Sequence, residues 1–259
     1  RHGFRARMAT VGGRKVIAPG IAHHSTIATF HSHRFMADPC ATNLVLAGNP
    51  LHREQLAIAA LLGPVFAVNT VLDEHRRLSF VNAGELIQSH LAAVATTERC
   101  ARIVLPRRFA TVVASAAGHP LDKTYYQTVK GMVAPLGILQ PGGTLIIASE
   151  CSEGLGSPDF MAAQARLVAL GPEAFLRSLA PKRFAEAEEW QTQMQTKPML
   201  AGKVQLFTTG LDARAMALTG VGTAKSVAEA VATSVAASGD RRVAVVPEGP
   251  YVVPVCSEA

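Results

Sequence analysis

The sequence predicts an α/β protein of two α/β units, the second a Rossmann-like, mostly parallel sheet with flanking helices. Three observations carry this expectation. Residues 110–115 (ATVVAS), 144–149 (TLIIAS), 204–208 (VQLFT) and 243–246 (VAVV) are β-rich and apolar at successive positions, the mark of strands covered on both faces. Segments of helical periodicity separate these runs, as parallel strands joined by crossovers require. Pro106, with Arg107 and Arg108 behind it, supplies the break between two units. The units are residues 1–106 and 107–237, with 238–259 free to rejoin the first.

In the first unit, a short strand at 15–18 leads into a helix at 25–35, and an amphipathic helix follows at 50–62. Strands at 65–72 and 77–81 form an antiparallel hairpin across 73–76, and a long helix occupies 85–102 after Gly84. In the second unit, helices are expected at 121–134, 158–169, 172–179, 183–195, 212–218 and 224–237. Ser157-Pro158 is a start signal, with serine as N-cap and proline at the first helical position. Asp212 and Thr223 are candidate caps for two more.

Composition excludes several function classes. The chain has 259 residues, 49% hydrophobic, 17% charged and 5% aromatic, which suits a globular protein with a core of its own. Its longest apolar stretch, 57–71, is broken by Gly63-Pro64, short of the roughly 20 residues a bilayer-spanning helix needs. No apolar segment follows the basic start, so a secretory signal is not expected, and the reading is cytoplasmic with no membrane partner. Because the first residue is Arg1, the chain is read as a fragment or a processed product. The four cysteines are widely spaced, which fits reduced thiols better than a zinc knuckle or a disulfide framework. The net charge of +6 is dispersed and aromatics are few. That argues against nucleic acid and for small anions.

Four segments are candidates for chemistry, each with a plainer account beside it. Gly12-Gly13-Arg14-Lys15 lets the backbone approach a ligand and sets a lysine behind it; a solvated surface turn is the simpler account of the four residues alone. Val16 after Lys15 rules out the phosphate-loop pattern. His23, His24, His31 and His33 fall within eleven residues, a density that invites a metal, although taken alone helix-surface or helix-cap histidines are the better account of it. Gln127 and Lys130, spaced i, i+3 on the helix after the first parallel strand, can face one cleft beyond that strand's carboxyl end and receive an anion. An exposed helix face is the alternative. The turn Glu150-Cys151-Ser152-Glu153-Gly154-Leu155-Gly156 either orients a substrate or only shapes the loop. Trp190, the one tryptophan, either closes a cleft or packs. No nucleophile elbow and no complete dinucleotide fingerprint is present.

In order, the motifs GGRK, APGI, FHS, GNPLHRE, FAVN-VLD, ASAAGHPLDKTYYQTVK and GGTLIIASECSEGLG resemble the nickel-dependent lactate racemase family from about residue 11 to about residue 246. The resemblance implies a nickel-pincer nucleotide, the nickel complex of pyridinium-3,5-bisthiocarboxylic acid mononucleotide. It also implies a 2-hydroxy acid substrate, proton-coupled hydride transfer that racemises or epimerises it, and partner enzymes that synthesise the cofactor. It makes the first unit the cofactor-tethering one, with Lys15 the tether, Gly12 and Gly13 its turn and His31 the nickel ligand. Gln127, Lys130 and Trp190 then line the reaction site. The family pattern sets a catalytic histidine ten residues before the lysine, where this chain has Arg5, so His2 is the candidate base. Family members also carry a further segment before this point, and the present chain by itself is expected to be inactive. The other reading is an inactive α/β module that binds an anion or nucleotide.

Overall fold

The computed structural model describes residues 24–73 and 77–257. His2, Gly12, Gly13, Lys15, His23 and the strand expected at 15–18 lie outside the described residues. The chain divides into one unit of residues 1–102 with 182–185 and a second of 103–181 with 186–259. Residues 238–259 therefore belong to the second unit and do not rejoin the first.

In the first unit, the helix expected at 25–35 is two short ones, α1 (His24–Phe30) and α2 (His33–Met36). Ser32 between them is extended, which breaks the helical ladder. Helix α3 (Pro50–Ala60) has Asn49 as its cap, accepting from the Leu51 and His52 amides, and proline at its first position. Strands β1 (Phe66–Leu72) and β2 (Leu78–Glu85) form the expected antiparallel hairpin, with β2 running through Gly84 to Glu85. The Glu85 carboxylate accepts from the amides of Ile87 and Gln88 and so starts α4 (Leu86–Ala101). Those two bonds hold its pKa below the usual carboxylate value.

The second unit is built on a five-stranded sheet of order β7-β6-β5-β4-β8, parallel throughout. Its strands are β4 (Phe109–Ser115), β5 (Leu139–Ala148), β6 (Lys203–Phe207), β7 (Gly222–Thr223) and β8 (Val243–Val246). The four apolar runs in the sequence are four of these strands. They alternate between two cores. Val112, Ala114, Leu145, Ile147, Val204, Leu206, Ala244 and Val246 pack on the face that carries α5 (Tyr125–Val133), with Tyr125, Val129, Met132 and Phe160. Ile146 packs on the opposite face with Ala224 and Ala230, the latter on α10 (Val227–Ser238). Burial on both sides explains the unbroken apolar runs.

The remaining helices are α6 (Pro158–Leu170), α7 (Pro172–Leu179), α8 (Glu189–Ala201) and α9 (Ala213–Thr219). Ser157 and Asp212 cap as expected, whereas Ser226, not Thr223, caps α10. Helix α5 begins at Tyr125 rather than 121, because 121–124 is a turn and Thr124 is the cap. The helix expected at 183–195 is displaced to Glu189–Ala201. Its buried face is Gln191, Thr192, Gln193, Gln195 and Thr196, so apolar periodicity misreads it. A small sheet of β3 (Arg102–Leu105) and β9 (Val253–Cys256) was not anticipated.

Gly202 ends α8 with an extended backbone that any residue adopts, yet an added Cβ would lie 2.1 Å from the Gly143 carbonyl oxygen. Gly202→Ala should therefore destabilise the second unit by about 1–3 kcal/mol, read from the urea midpoint of Trp190 fluorescence. An unchanged midpoint would show that the Gly142-Gly143 turn gives way freely.

Candidate functional site

In an open parallel sheet the carboxyl ends of the strands face the ligand side. Here the loops after β4 and β5 meet at that end and lock each other. The amides of Cys151 and Glu153 donate to the Asp122 and Lys123 carbonyls, both at 2.7 Å, and those of Tyr125 and Tyr126 donate to the Gly154 and Leu155 carbonyls, both at 3.0 Å. Lys123 pairs with Glu153, and Thr128 Oγ1 meets Ser149 Oγ at 2.6 Å in the interior. The turn after β4 passes through left-handed backbone at Ala117 and Gly118. These bonds fix where α5 starts. They also use its first amides, since the Gln127 amide goes to Thr124. An anion at α5 must therefore rely on side chains rather than on the helix terminus.

Those side chains are Gln127 and Lys130. Lys130 Nζ donates to Gln127 Oε1 at 2.7 Å and stands 5.6 Å from the centroid of the Tyr126 ring. The i, i+3 spacing thus does bring the two together. Tyr126 carries the site further. Its ring meets Trp190 edge-on at 6.2 Å and Phe160 edge-on at 5.1 Å, so α5, α6 and α8 each contribute one aromatic ring. Gln191 Nε2 donates to the Tyr126 carbonyl at 2.6 Å and holds α8 against α5 beside Trp190. The result is an amide and an ammonium at the edge of an aromatic wall, an arrangement suited to a small carboxylate or to a planar ring bearing an anion.

Sequence reading named Gln127, Lys130 and Trp190 but passed over Tyr126, Phe160, Gln191 and Glu188. Tyr126, adjacent to Gln127, was the one with an available signal. Burial, and then the Glu188 carboxylate nearby, push the Tyr126 phenol up to about 12. Glu188 is held in a left-handed backbone conformation and accepts a hydrogen bond from Ser157, the α6 cap. Because the folded value lies above the unfolded one, near 10, this group's contribution to stability is complete below pH 10. It is lost as pH rises from about 10 through about 12. Glu188→Gln should lower the Tyr126 transition in an ultraviolet titration; an unmoved transition would assign the shift to burial alone.

The acidic turn resolves toward loop shaping. Glu150 Oε1 accepts from Thr209 Oγ1 at 2.8 Å, and Glu153 takes Lys123. In the first unit, His31 Nδ1 lies 2.9 Å from the Ile27 carbonyl oxygen. Among the described residues, no three His, Cys, Asp or Glu side chains converge as a metal site. No helix among them is long and apolar enough to cross a membrane.

A family model of the lactate racemase C-terminal domain matches residues 106–254, and one of ribosomal protein L34 matches residues 1–19. The chain is 29% identical over 246 residues to the lactate racemase of Thermoanaerobacterium thermosaccharolyticum and 28% identical over 246 residues to that of Lactiplantibacillus plantarum. In both cases the match takes 93% of this chain and 57% of the relative. The solved structure of the lactate racemase apoprotein from T. thermosaccharolyticum superposes with a TM-score of 0.86 at 27% identity, over 95% of this chain and 58% of that one. A Thermotoga maritima protein superposes with a TM-score of 0.62 at 15% identity, a likeness of fold alone. The chain thus spans under three fifths of the length of the lactate racemases it matches.

Proposed function

Given that the chain belongs to the lactate racemase family by its C-terminal domain, we propose that it is part of an isomerase that inverts a 2-hydroxy acid such as lactate. The supporting observation is the Gln127–Lys130 pair set against the Tyr126–Trp190 wall. Lys130 supplies a cation for the substrate carboxylate, and Gln127 orients it while donating or accepting at the adjacent hydroxyl. Trp190 and Phe160 keep water from one side of the site.

The cofactor of this reading is the nickel-pincer nucleotide that the family resemblance implies. A nickel with most of its ligands on an organic group would need few from the protein, and His31, whose Nδ1 lies against the Ile27 carbonyl, would be the protein ligand. Lys15 would be the covalent tether, with Gly12 and Gly13 giving the backbone room beside it. When bound, that group would supply the hydride acceptor that side chains lack. Removing the hydroxyl proton falls to a histidine, for which His2 is the candidate in this chain. The cofactor-synthesis enzymes would be partners.

The test is to produce the chain together with the enzymes that assemble the cofactor. The mass should rise and nickel should be bound, and Lys15→Ala should lose the added mass. An unmodified, nickel-free product would overturn the cofactor reading. One observation favours a second reading, an anion-binding module without catalysis: Arg5 stands where the racemase pattern sets a catalytic histidine, and residues 1–19, with His2, Gly12, Gly13 and Lys15, also match the ribosomal protein L34 model, so their cofactor roles rest on the resemblance alone. Binding of inorganic phosphate that depends on Lys130 in that same unmodified product would support it.

A further inference from the structure

The β1–β2 ribbon carries apolar residues on both of its faces. A two-stranded ribbon with one face covered should turn apolar residues inward and polar residues outward. Here the covered face buries Val71 and Asn69, and Asn69 Nδ2 donates to Ser89 Oγ of α4 at 2.6 Å. Asn82 Nδ2 donates to the Ser89 carbonyl at 3.0 Å. These amides pin the helix to the ribbon. The other face carries Phe66, Val68, Val81 and Leu78, exposed at 74%, 57%, 55% and 58%. The register sets Val68 opposite Ala83, Thr70 opposite Val81 and Leu72 opposite Leu78, so these side chains form one continuous apolar strip.

Two features extend the strip. Among the described residues the sheet contains only β1 and β2, so each strand keeps one edge with no strand beside it. At the Phe66 end lies a groove of about 560 Å³, lined by Leu56, Ala59, Ala60, Val65, Phe66 and Ile87. Leu61 beside it is 85% exposed. Apolar surface of this continuity, with open strand edges, is a docking surface and an aggregation hazard if left bare. A two-stranded ribbon is also marginal by itself. Apolar residues on both faces are what strands inside a larger, two-sided sheet require.

We propose that this face seats a preceding polypeptide segment of the kind that lactate racemases carry, which adds strand to the open edge of the ribbon and covers Phe66, Val68 and Val81. The occupant follows from the coverage of the matches. They take up 93% and 95% of this chain but 57% and 58% of the relatives. The C-terminal domain model runs to residue 254, so the rest of the relatives' length precedes the matched region. The inference rests on family membership and fold and is independent of the cofactor and of the reaction.

The experiment joins the preceding portion of the T. thermosaccharolyticum lactate racemase to the 259-residue chain and compares the fusion with the chain alone by hydrogen exchange. Amides of 66–72 and 78–85 should exchange at least tenfold more slowly in the fusion, while those of 111–115 and 144–148 stay unchanged. Val68→Lys with Val81→Lys, both at exposed positions, should restore fast exchange in the fusion and leave the circular dichroism of the chain alone unaltered. Equal exchange in both proteins would overturn the proposal. So would ribbon protection in the chain alone accompanied by the mass of a dimer, which would make a second copy the occupant.

Discussion

Phe160→Ala is expected to lower the stability of the second unit by about 3–5 kcal/mol, a large part of the roughly 5–15 kcal/mol that holds a domain folded. Phe160 is fully buried and fills the space between Tyr125, at 6.3 Å, and Tyr126, at 5.1 Å. Its removal takes away apolar burial, two aromatic contacts and the packing that holds α6 against α5. Backbone bonds to Gly154 and Leu155 anchor α5 from one side only and cannot close that cavity. Trp190, the single tryptophan, reports the change directly because its partner Tyr126 is also the neighbour of Phe160. The urea midpoint of its fluorescence should fall with little change in slope. The Tyr126 phenol should ionise at lower pH as water reaches it. Phe160→Leu should cost less than half as much. A loss under about 1 kcal/mol for the alanine variant would show that α6 collapses onto the site, and that the aromatic wall adapts rather than being fixed.

Lys130→Met should reduce turnover of the proposed racemase by about 10²–10³-fold, the effect of removing one well-placed electrostatic group from an active site. Methionine keeps much of the apolar stem and deletes the charge that stands 5.6 Å from the Tyr126 ring centroid. Lys130 is solvent-exposed, so thermal stability should move by no more than about 0.5 kcal/mol. That separates a role in the site from a role in the fold. Lys130→Arg restores the charge, but its planar fork does not reproduce the 2.7 Å bond to Gln127 Oε1, so only part of the activity should return. The assay is interconversion of the lactate enantiomers by the cofactor-loaded fusion described above. Full activity in Lys130→Met would remove this lysine from the site.

The sequence and the structure agree where a residue's neighbours are set by local spacing or by burial on two sides. The runs at 110–115, 144–149, 204–208 and 243–246 are strands because apolar side chains at successive positions require cover on both faces, which a parallel sheet between helices provides. Gln127 and Lys130 meet because i, i+3 on a helix leaves them side by side. Ser157-Pro158 and Asp212 start helices through hydrogen bonds made within a turn. The hairpin of β1 and β2 was equally plain from its two β-rich runs.

Elsewhere the answer depends on partners far along the chain. Helix α8 was displaced because its buried face is polar. Gln164 Nε2 donates to Thr192 Oγ1 and Gln195 Oε1, and Gln195 Nε2 donates to the Thr219 carbonyl. Glutamine and threonine become core residues only when such partners arrive, and hydrophobic periodicity cannot register them. Strands β3 and β9 come from opposite ends of the second unit and pair with each other, which also draws residues 238–259 into that unit.

By itself, then, the sequence determined the fold class, the parallel strands and the Gln127–Lys130 pair, because two-sided burial and helical spacing are properties of neighbouring residues. Only the tertiary structure decided that Tyr126, Phe160 and Trp190 form one wall beside that pair, and that the hairpin exposes its apolar face. Those outcomes depend on which distant side chain packs where, and residue order carries no local mark of it.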